Sequence, residues 1–382
     1  VRFYLVFTLV FMLMLAASLA QVRRQVGLSR RSSWRLLGFG LLVSALLAST
    51  RLMPESWPMA LARPMWWLGY GLFALVSYLF LFEGALFVLE LCCRLAAPRF
   101  APALRSPRAL ALAAALTLGV AGYGTAELDH VRVLKKTYVS TKVTRPVRLV
   151  AASDLHLGAL TLPARVDALA ALIAEQKPDA LLLVGDVVND HPEALKPLAA
   201  RLKAVAPPLG IYGVFGNHER YEGDEKSAAV FRWAGARLLR NQVAPLGDTG
   251  VQLMGVDDPG RAGNVTAILG REITGLAPQL DPARLTVLLN HRPQAWREAA
   301  IPAGIEVMLS GHTHKGQVYP FYLVVSLSYE FMGGFYEEGG SLLGVSAGAG
   351  FWGPPLRVLA PPDILVVDIA PAAHAPAPAG QE

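Results

Sequence analysis

The sequence predicts an α-helical transmembrane region followed by an α/β domain, and three observations carry this. Long uncharged apolar runs fill residues 1–126. From Val147 onward, short apolar strands alternate with helical stretches. Blocks of Asp, Asn and His stand directly after those strands. The chain is 53% hydrophobic with a mean hydropathy of +0.40. Because that excess is uneven along the chain, a single soluble core is the wrong description of the first third.

The apolar runs are Phe3–Ala20, Leu36–Thr50, Met65–Phe82 and Ala109–Ala126. A span takes about 20 apolar residues and at least about 17, so the first, third and fourth qualify. The second is short and lies between Arg35 and Arg51, whose stems can snorkel to the interface. Trp34, Trp57, Trp66 and Trp67 stand at run edges, as interfacial aromatics do. Arg23, Arg24, Arg30, Arg31 and Arg35 follow the first run, and Arg94, Arg99, Arg105 and Arg108 follow the third. Only Arg51 and Arg63 separate the second from the third. Short-loop charge therefore predicts that the N-terminus and everything after Ala126 lie outside the cytoplasm. Arg132, Lys135, Lys136 and Lys142 oppose this but precede a long domain, which translocates largely regardless of charge.

Ser18-Leu19-Ala20 has the form of a signal-cleavage site, but the apolar stretch is long for a signal core and its charge follows it, so an uncleaved anchor is expected. Glu83 and Glu90 share a helix face and mark where the third helix leaves the bilayer. Cys92 and Cys93 are too few for a disulfide framework or a thiolate zinc site. The net charge of +6 comes with no basic-aromatic stripe, so no nucleic-acid partner is expected. The expected organisation is a membrane domain 1–126 with about four transmembrane helices, a linker 127–146, a globular domain 147–370 and a disordered Ala/Pro-rich tail 371–382.

In the globular part, Val147–Ala152, Ala180–Val184 and Ile211–Phe215 read as buried strands. Between them lie a helix from Pro163 to Gln176, with Val166, Leu169, Ala170, Leu172 and Ile173 on one side, and a helix Glu193–Val205 kinked at Pro197. This alternation implies βαβ units. Val251–Val256, Leu285–Leu289, Val307–Leu309, Leu342–Ser346 and Ile364–Val367 are later strands.

Ligands of open α/β sheets bind beyond the carboxyl ends of strands. The residues delivered there are Asp154, His156, Asp186, Asn217, His291, His312 and His314. All are oxygen or nitrogen donors, which suit Mn, Fe, Zn or Ni better than copper(I) or an iron–sulfur cluster. Seven are too many for one tetrahedral ion and suit two divalent metal ions sharing a carboxylate. The Asp-x-His and His-x-His spacings are read as i, i+2 positions on one face of a strand end. Five of the eight histidines fall in these blocks, so a surface role for the set is untenable. His130, His191 and His374 receive no role. Asp257-Asp258 is read as a turn in preference to a residue pair supporting the ligands, Arg292-Pro293 equally as a turn or as a cation placed near substrate, and Asn189 as a cap or a ligand-orienting residue.

The ordered set Asp154-x-His156, Gly185-Asp186, Gly216-Asn217-His218-Glu219, His291 and Gly311-His312-x-His314 resembles the calcineurin-like metallophosphoesterase family, in particular its bacterial membrane-anchored branch. The resemblance runs from Val147 to Ile369. It implies a two-sheet β-sandwich flanked by helices. It also implies that Asp154, His156, Asp186 and His314 hold one ion and that Asp186, Asn217, His291 and His312 hold the other. His218 would face the leaving oxygen, with Glu219 orienting or charging it. Lys315 and Ala347 depart from the branch's pattern.

The implied function is hydrolysis of a phosphodiester or phosphomonoester, of a lipid or cell-envelope substrate, by an enzyme of the bacterial cell membrane. The alternatives are a cytoplasmic-facing pyrophosphatase acting on a nucleotide-linked lipid precursor, and a non-catalytic membrane scaffold.

Overall fold

The computed structural model describes residues 2–49, 59–190 and 192–372. Arg51, Trp57, His191, His374 and the tail beyond residue 372 lie outside the described residues. The chain divides into two compact units, residues 1–126 with 353–356, and residues 127–352 with 357–382.

The first unit holds α1 (Arg2–Val26), α2 (Arg30–Ser49), α3 (Met59–Ala96) and α4 (Pro107–Glu127). Val6–Val26, Arg63–Ala96 and Pro107–Glu127 are long and apolar enough to cross a membrane. α2, which covers the short run, does not meet that measure. Leu13, Val88 and Leu118 are each more than half exposed, apolar surface of the kind that marks a membrane contact. α3 continues through both of its buried carboxylates. Glu83 accepts a hydrogen bond from Gln25 Nε2 at 2.8 Å, and Glu90 pairs with Arg94 at 2.7 Å and Arg105 at 2.6 Å.

The second unit begins with β1 (Arg132–Ser140), β2 (Val147–Ala152), α5 (Pro163–Glu175), β3 (Ala180–Val184), α6 (Lys196–Leu202), β4 (Ile211–Val214), α7 (Asn217–Glu222), α8 (Asp224–Trp233) and β5 (Ala236–Leu238). It continues with β6 (Gln242–Pro245), β7 (Val251–Val256), α9 (Val265–Leu276), β8 (Leu285–Asn290), β9 (Val307–Ser310), α10 (Phe321–Val325), β10 (Gly334–Glu338), β11 (Ser341–Val345) and β12 (Asp363–Pro371). Two six-stranded mixed sheets result, in the orders β1-β12-β2-β3-β4-β5 and β10-β11-β9-β8-β7-β6. β2 to β5 run parallel in the first, and β7, β8, β9 and β11 run parallel in the second.

Strand pleating sorts the apolar residues into three cores. Leu149 and Ala151 of β2 meet Val287, Leu289 and Leu309 between the sheets. Val150 and Ala152 face α5 and α6 with Val166, Leu169 and Leu198. On the outer face of the second sheet, Leu288 and Met308 pack with Leu269, Ile273 and Trp296. The second unit is therefore a two-sheet sandwich flanked by helices.

Two local expectations change. The stretch expected as a linker contains β1, which pairs in parallel with β12 from Arg132↔Asp363 to Ser140↔Pro371. Its charges suit an outer strand, where alternate side chains reach solvent. The helix expected over Glu193–Val205 is two 3₁₀ turns around α6. Pro197 lies in the first turn of α6, where its missing N–H leaves no bond unmade, so it does not kink a helix interior.

Candidate metal centre

Five parallel strands end at one edge of the sandwich, and each hands its chain to a loop that carries candidate ligands. β2 leads to Asp154 and His156, β3 to Asp186, β4 to Asn217, β8 to His291, and β9 to His312 and His314. None of these residues lies within a strand. Asp154, His156, Asp186, His312 and His314 have φ between 44° and 70°. The i, i+2 strand argument for the Asp-x-His and His-x-His pairs therefore fails. A left-handed turn at each ligand, rather than strand pleating, aims the pairs at one place.

Backbone bonds hold these turns. Asp154 N donates to Gly185 O (3.0 Å), His156 N to Asp186 O (2.9 Å) and Gly311 N to His291 O (2.8 Å). The glycines of the motifs answer a need for close approach. A Cβ on Gly311 would sit 2.2 Å from Asp154 Oδ2, and one on Gly216 would sit 2.2 Å from Asp186 Oδ1.

Among the described residues two clusters of donor atoms, Asp154–His156–His314 and Asp186–His291–His312, are joined by a third group that draws on both, His156–Asp186–His218, and in each the atoms lie within 4.8 Å of one another. His314 Nε2 lies 3.0 Å from His156 Nε2 and 3.2 Å from Asp154 Oδ1. His291 Nε2 lies 3.2 Å from both His312 Nδ1 and Asp186 Oδ2. Asp186 Oδ2 is also 3.8 Å from His156 Nε2, so one carboxylate stands between the clusters. Ligand atoms about 2.1 Å from a shared ion and roughly a right angle apart are separated by about 3 Å, which matches these spacings. Asp154 Oδ1 and Asn217 Oδ1 are buried acceptors without a hydrogen-bond partner. Such orphaned oxygens are costly unless a cation or donor meets them, so the donor set fits divalent ions.

Tautomers and charge agree with this. His291 Nδ1 donates to Val184 O at 2.9 Å, which turns Nε2 toward the cluster as the atom a metal would take. Burial pulls the His291 ring down, but the charge and hydrogen bond of Asp186, with Asp154 beyond, push it up to about 10; the site draws in positive charge. Burial first, then the neighbouring imidazoles His218 and His314, hold His156 well below its usual value. His312 is held down by burial and then by His291 and Arg292. Both rings are thus neutral, the form that binds a metal. Burial raises Asp186, yet His291 and His218 keep it well below the ordinary carboxylate value.

His218 lies half-buried at the rim. Its backbone N–H donates to Asp186 Oδ1 at 2.8 Å. Its ring meets those of His156, Tyr221 and Trp352 at centroid distances of 4.6, 5.5 and 6.0 Å. Glu219 does not orient or charge His218 through its carboxylate, contrary to expectation. Both oxygens are taken by backbone N–H groups, of Val188 (2.9 Å) on one and of Asp186 (3.0 Å) and Gly216 (2.7 Å) on the other. Glu219, in the first turn of α7, ties the loops after β3 and β4 together by accepting from backbone N–H groups of both.

The sequence assigns no role to Tyr329 or Arg357 and leaves Arg292 open between a turn and a substrate cation. Tyr329 Oη lies 2.8 Å from His312 Nε2. Arg357, fully buried, donates to Gly348, Gly350 and Ala360 carbonyls and lies 3.3 Å from His314 Nδ1. Arg292 is spent on Asp258 through bonds of 2.5 and 3.2 Å rather than held free for a substrate. Tyr329 lies outside the ligand blocks and no local spacing marks it; Arg357 closes the Trp352-Gly353-Pro354-Pro355-Leu356-Arg357 segment, which resembles the bacterial branch but assigns the arginine no partner.

The model of the calcineurin-like phosphoesterases matches residues 147–316. An uncharacterized metallophosphoesterase of Aquifex aeolicus is 34% identical over 251 residues, 65% of this chain and 95% of that protein. One of Helicobacter pylori is 32% identical over 60% of this chain and 61% of its own length. A bovine transmembrane protein with a metallophosphoesterase domain is 30% identical over 59% of this chain and 54% of its own length. A dimetal phosphatase structure from Danio rerio aligns at 12% identity and a TM-score of 0.38, over 53% of this chain and 88% of that one. With its ordered ligand blocks and these relatives, the chain belongs to the calcineurin-like metallophosphoesterase family and is a metal-dependent phosphoesterase.

Proposed function

We propose that the chain hydrolyses phosphate esters at a two-metal centre. In this reading Asp154, His156, Asp186 and His314 hold one ion and Asp186, Asn217, His291 and His312 hold the second. The observation that carries it is the place of Asp186 Oδ2, 3.2 Å from a nitrogen of one cluster and 3.8 Å from a nitrogen of the other. Two bound divalent ions, Mn, Fe, Zn or Ni, supply charge that stabilises the displacement at phosphorus and makes a water molecule nucleophilic near neutral pH.

The protein's own residues do the rest. Asp186 fixes His218 through the backbone bond at 2.8 Å, and the His218 ring, open to the rim, delivers a proton to the oxygen of the breaking P–O bond. The Val184 carbonyl sets the tautomer of His291, and Tyr329 Oη, 2.8 Å from His312 Nε2, orients that ring. Glu219 keeps the two central loops in register.

The proposed substrate is a phosphate ester of a lipid or of the cell envelope, met at a bacterial membrane with the domain on the extracytoplasmic side. Loop charge supports the sidedness. Residues 128–131 alone join α4 to β1, about 14 Å of chain at full extension, which supports a substrate met near a membrane surface. Tyr319, Phe321, Leu323, Val324 and Leu327, just beyond His314, are 44 to 87% exposed, the amphipathic and apolar side chains that favour an interface.

Hydrolysis of bis(p-nitrophenyl) phosphate by detergent-purified protein, stripped of metal and then given Mn²⁺, tests the reading. Metal-restored turnover that is lost in both Asp186→Ala and Asp186→Asn is expected. An intact, metal-loaded protein with no turnover of this diester or of p-nitrophenyl phosphate would overturn it.

A further inference from the structure

Beside Tyr221 lies a cleft of about 510 Å³ lined by Arg220, Tyr221, Pro259, Gly260 and Arg261. Its two arginines differ in what neutralises them. Arg220 donates to Asp258 O at 3.0 Å and pairs with Asp224 and, at 3.4 Å, with Asp257. The same two carboxylates bind Arg240 at 2.7 and 2.5 Å. Two arginines and two aspartates thus cancel. Arg292 and Asp258 cancel likewise.

Arg261 has no such partner. Among the described residues its contact is with the Tyr221 ring, its Cζ 4.5 Å from the centroid, and the side chain is exposed. A guanidinium lying on an aromatic face keeps its N–H edge for an anion, which it can grip with two bonds. The Tyr221 ring in turn lies 5.5 Å from that of His218. One surplus positive charge therefore stands a single aromatic ring away from the histidine at the rim of the metal centre.

We propose that this cleft is a subsite for the leaving group of the substrate, and that Arg261, carried on Tyr221, selects leaving groups that bear their own negative charge, a phosphoryl group or a carboxylate. The inference rests on the reading of His218 as the residue facing the leaving oxygen. It adds a direction to the site: the retained phosphoryl group stays at the ligand clusters, and the departing alcohol, with its anion, lies across His218 over Tyr221.

Three methyl aryl phosphate diesters that differ in the charge of the leaving group test this on the full-length protein with metal restored. They are methyl 4-nitrophenyl phosphate, whose single negative charge is that of the diester, and methyl 4-carboxyphenyl phosphate and methyl 4-phosphonophenyl phosphate, whose leaving groups add negative charge of their own. Arg261→Ala should lower kcat/KM for the two charged esters by about fivefold at low salt, as loss of an exposed ion pair does, and leave the nitrophenyl ester within about twofold. A larger loss for the phosphonate than for the carboxylate identifies a phosphoryl leaving group as the preferred one. The wild-type preference should shrink as salt rises past about 0.1 M, where the screening length is about 10 Å.

Tyr221→Ala should reproduce the loss and Tyr221→Phe should not. Calorimetric binding of 4-hydroxyphenylphosphonate, which needs no turnover, should weaken by a similar factor in Arg261→Ala. Equal losses on all three esters, or none, overturn the subsite while leaving the phosphoesterase reading in place. No metal-restored turnover of the nitrophenyl ester in the wild type overturns that reading, and the subsite with it.

Discussion

Replacing Gly216 by alanine asks whether Asp186 must sit where the two clusters meet. Gly216 has φ −93°, an ordinary value, so alanine carries no backbone penalty there and the whole effect is a collision. The new Cβ would lie 2.2 Å from Asp186 Oδ1 and 2.6 Å from Asp186 N. Carbon and oxygen approach to about 3.3 Å, so the carboxylate must retreat by roughly 1 Å. Rotating the Asp186 side chain cannot relieve the second contact, because it is with backbone. The loop after β3 must therefore move too, against the Glu219 bonds that hold Asp186 N and Gly216 N together.

Overpacking of this kind costs about 1–3 kcal/mol, a fall of a few degrees in melting midpoint at about 2–4 °C per kcal/mol. A displacement of about 1 Å at the reacting centre costs roughly 100-fold in rate. Metal content per chain, measured by mass spectrometry after desalting, should fall below that of the wild type, and kcat/KM on bis(p-nitrophenyl) phosphate should fall by about 100-fold or more. Gly275→Ala, in α9 with nothing within 4 Å of its Cβ, is the control and should be neutral or slightly stabilising. Wild-type metal content and turnover in Gly216→Ala would refute the reasoning.

Two other predictions concern buried charges outside the ligand set. Arg357→Met removes the donor for the Gly348, Gly350 and Ala360 carbonyls, so stability should fall by about 3–5 kcal/mol and metal affinity by about 10-fold or more. A titration showing unchanged metal affinity would leave Arg357 a purely structural residue. Asp363 is buried, and that burial pushes it up to about 6 against its bonds from Ser346 Oγ (2.7 Å) and Ala347 N (3.0 Å). Between the ordinary carboxylate value and about 6 the folded state then binds more protons than the unfolded state. Stability from this group is therefore full at the acid end of that window and declines as pH rises through it, by about 2–3 kcal/mol. Asp363→Asn, which keeps an acceptor oxygen, should gain in melting midpoint relative to the wild type as pH rises from about 4 to 6; a constant difference across that range would count against the assignment.

How much of this was legible depended on where each residue's partners lie. β2, β3 and β7 fall on the runs expected, because strands buried on both faces read as nearly continuous apolar stretches, broken only by Arg148 in β2 and Gln252 in β7. β1, β6 and β10 escaped because outer strands mix in polar residues such as Lys135, Lys136, Gln242, Glu337 and Glu338. β5 is three residues long, too short for any period. α9 carried a signal that was passed over: Asn264 caps it, accepting from Ala267 N at 3.1 Å. The seven candidate ligands were legible because each follows a strand end. The tasks of Glu219, Tyr329 and Arg357 were not, because they are set by contacts between residues 17 to 43 positions apart or by carbonyls that no side-chain pattern records.

The left-handed turns bear on why the ligands are these residue types. A non-glycine residue at φ near 50° pays about 1–3 kcal/mol, and among non-glycine residues Asn, Asp and His tolerate that conformation best. Asp154, His156, Asp186, His312 and His314 all adopt it. The donor chemistry and the backbone geometry thus call for the same short list of side chains, so an alanine at any of these positions removes a donor and strains a turn at once. Asp186→Asn separates the two effects, since it keeps a residue suited to φ 50° while removing the charge that both clusters share. If Asp186→Asn folds as the wild type does but loses metal, the carboxylate's charge is what joins the clusters; if it loses the fold as well, the charge also holds the loops.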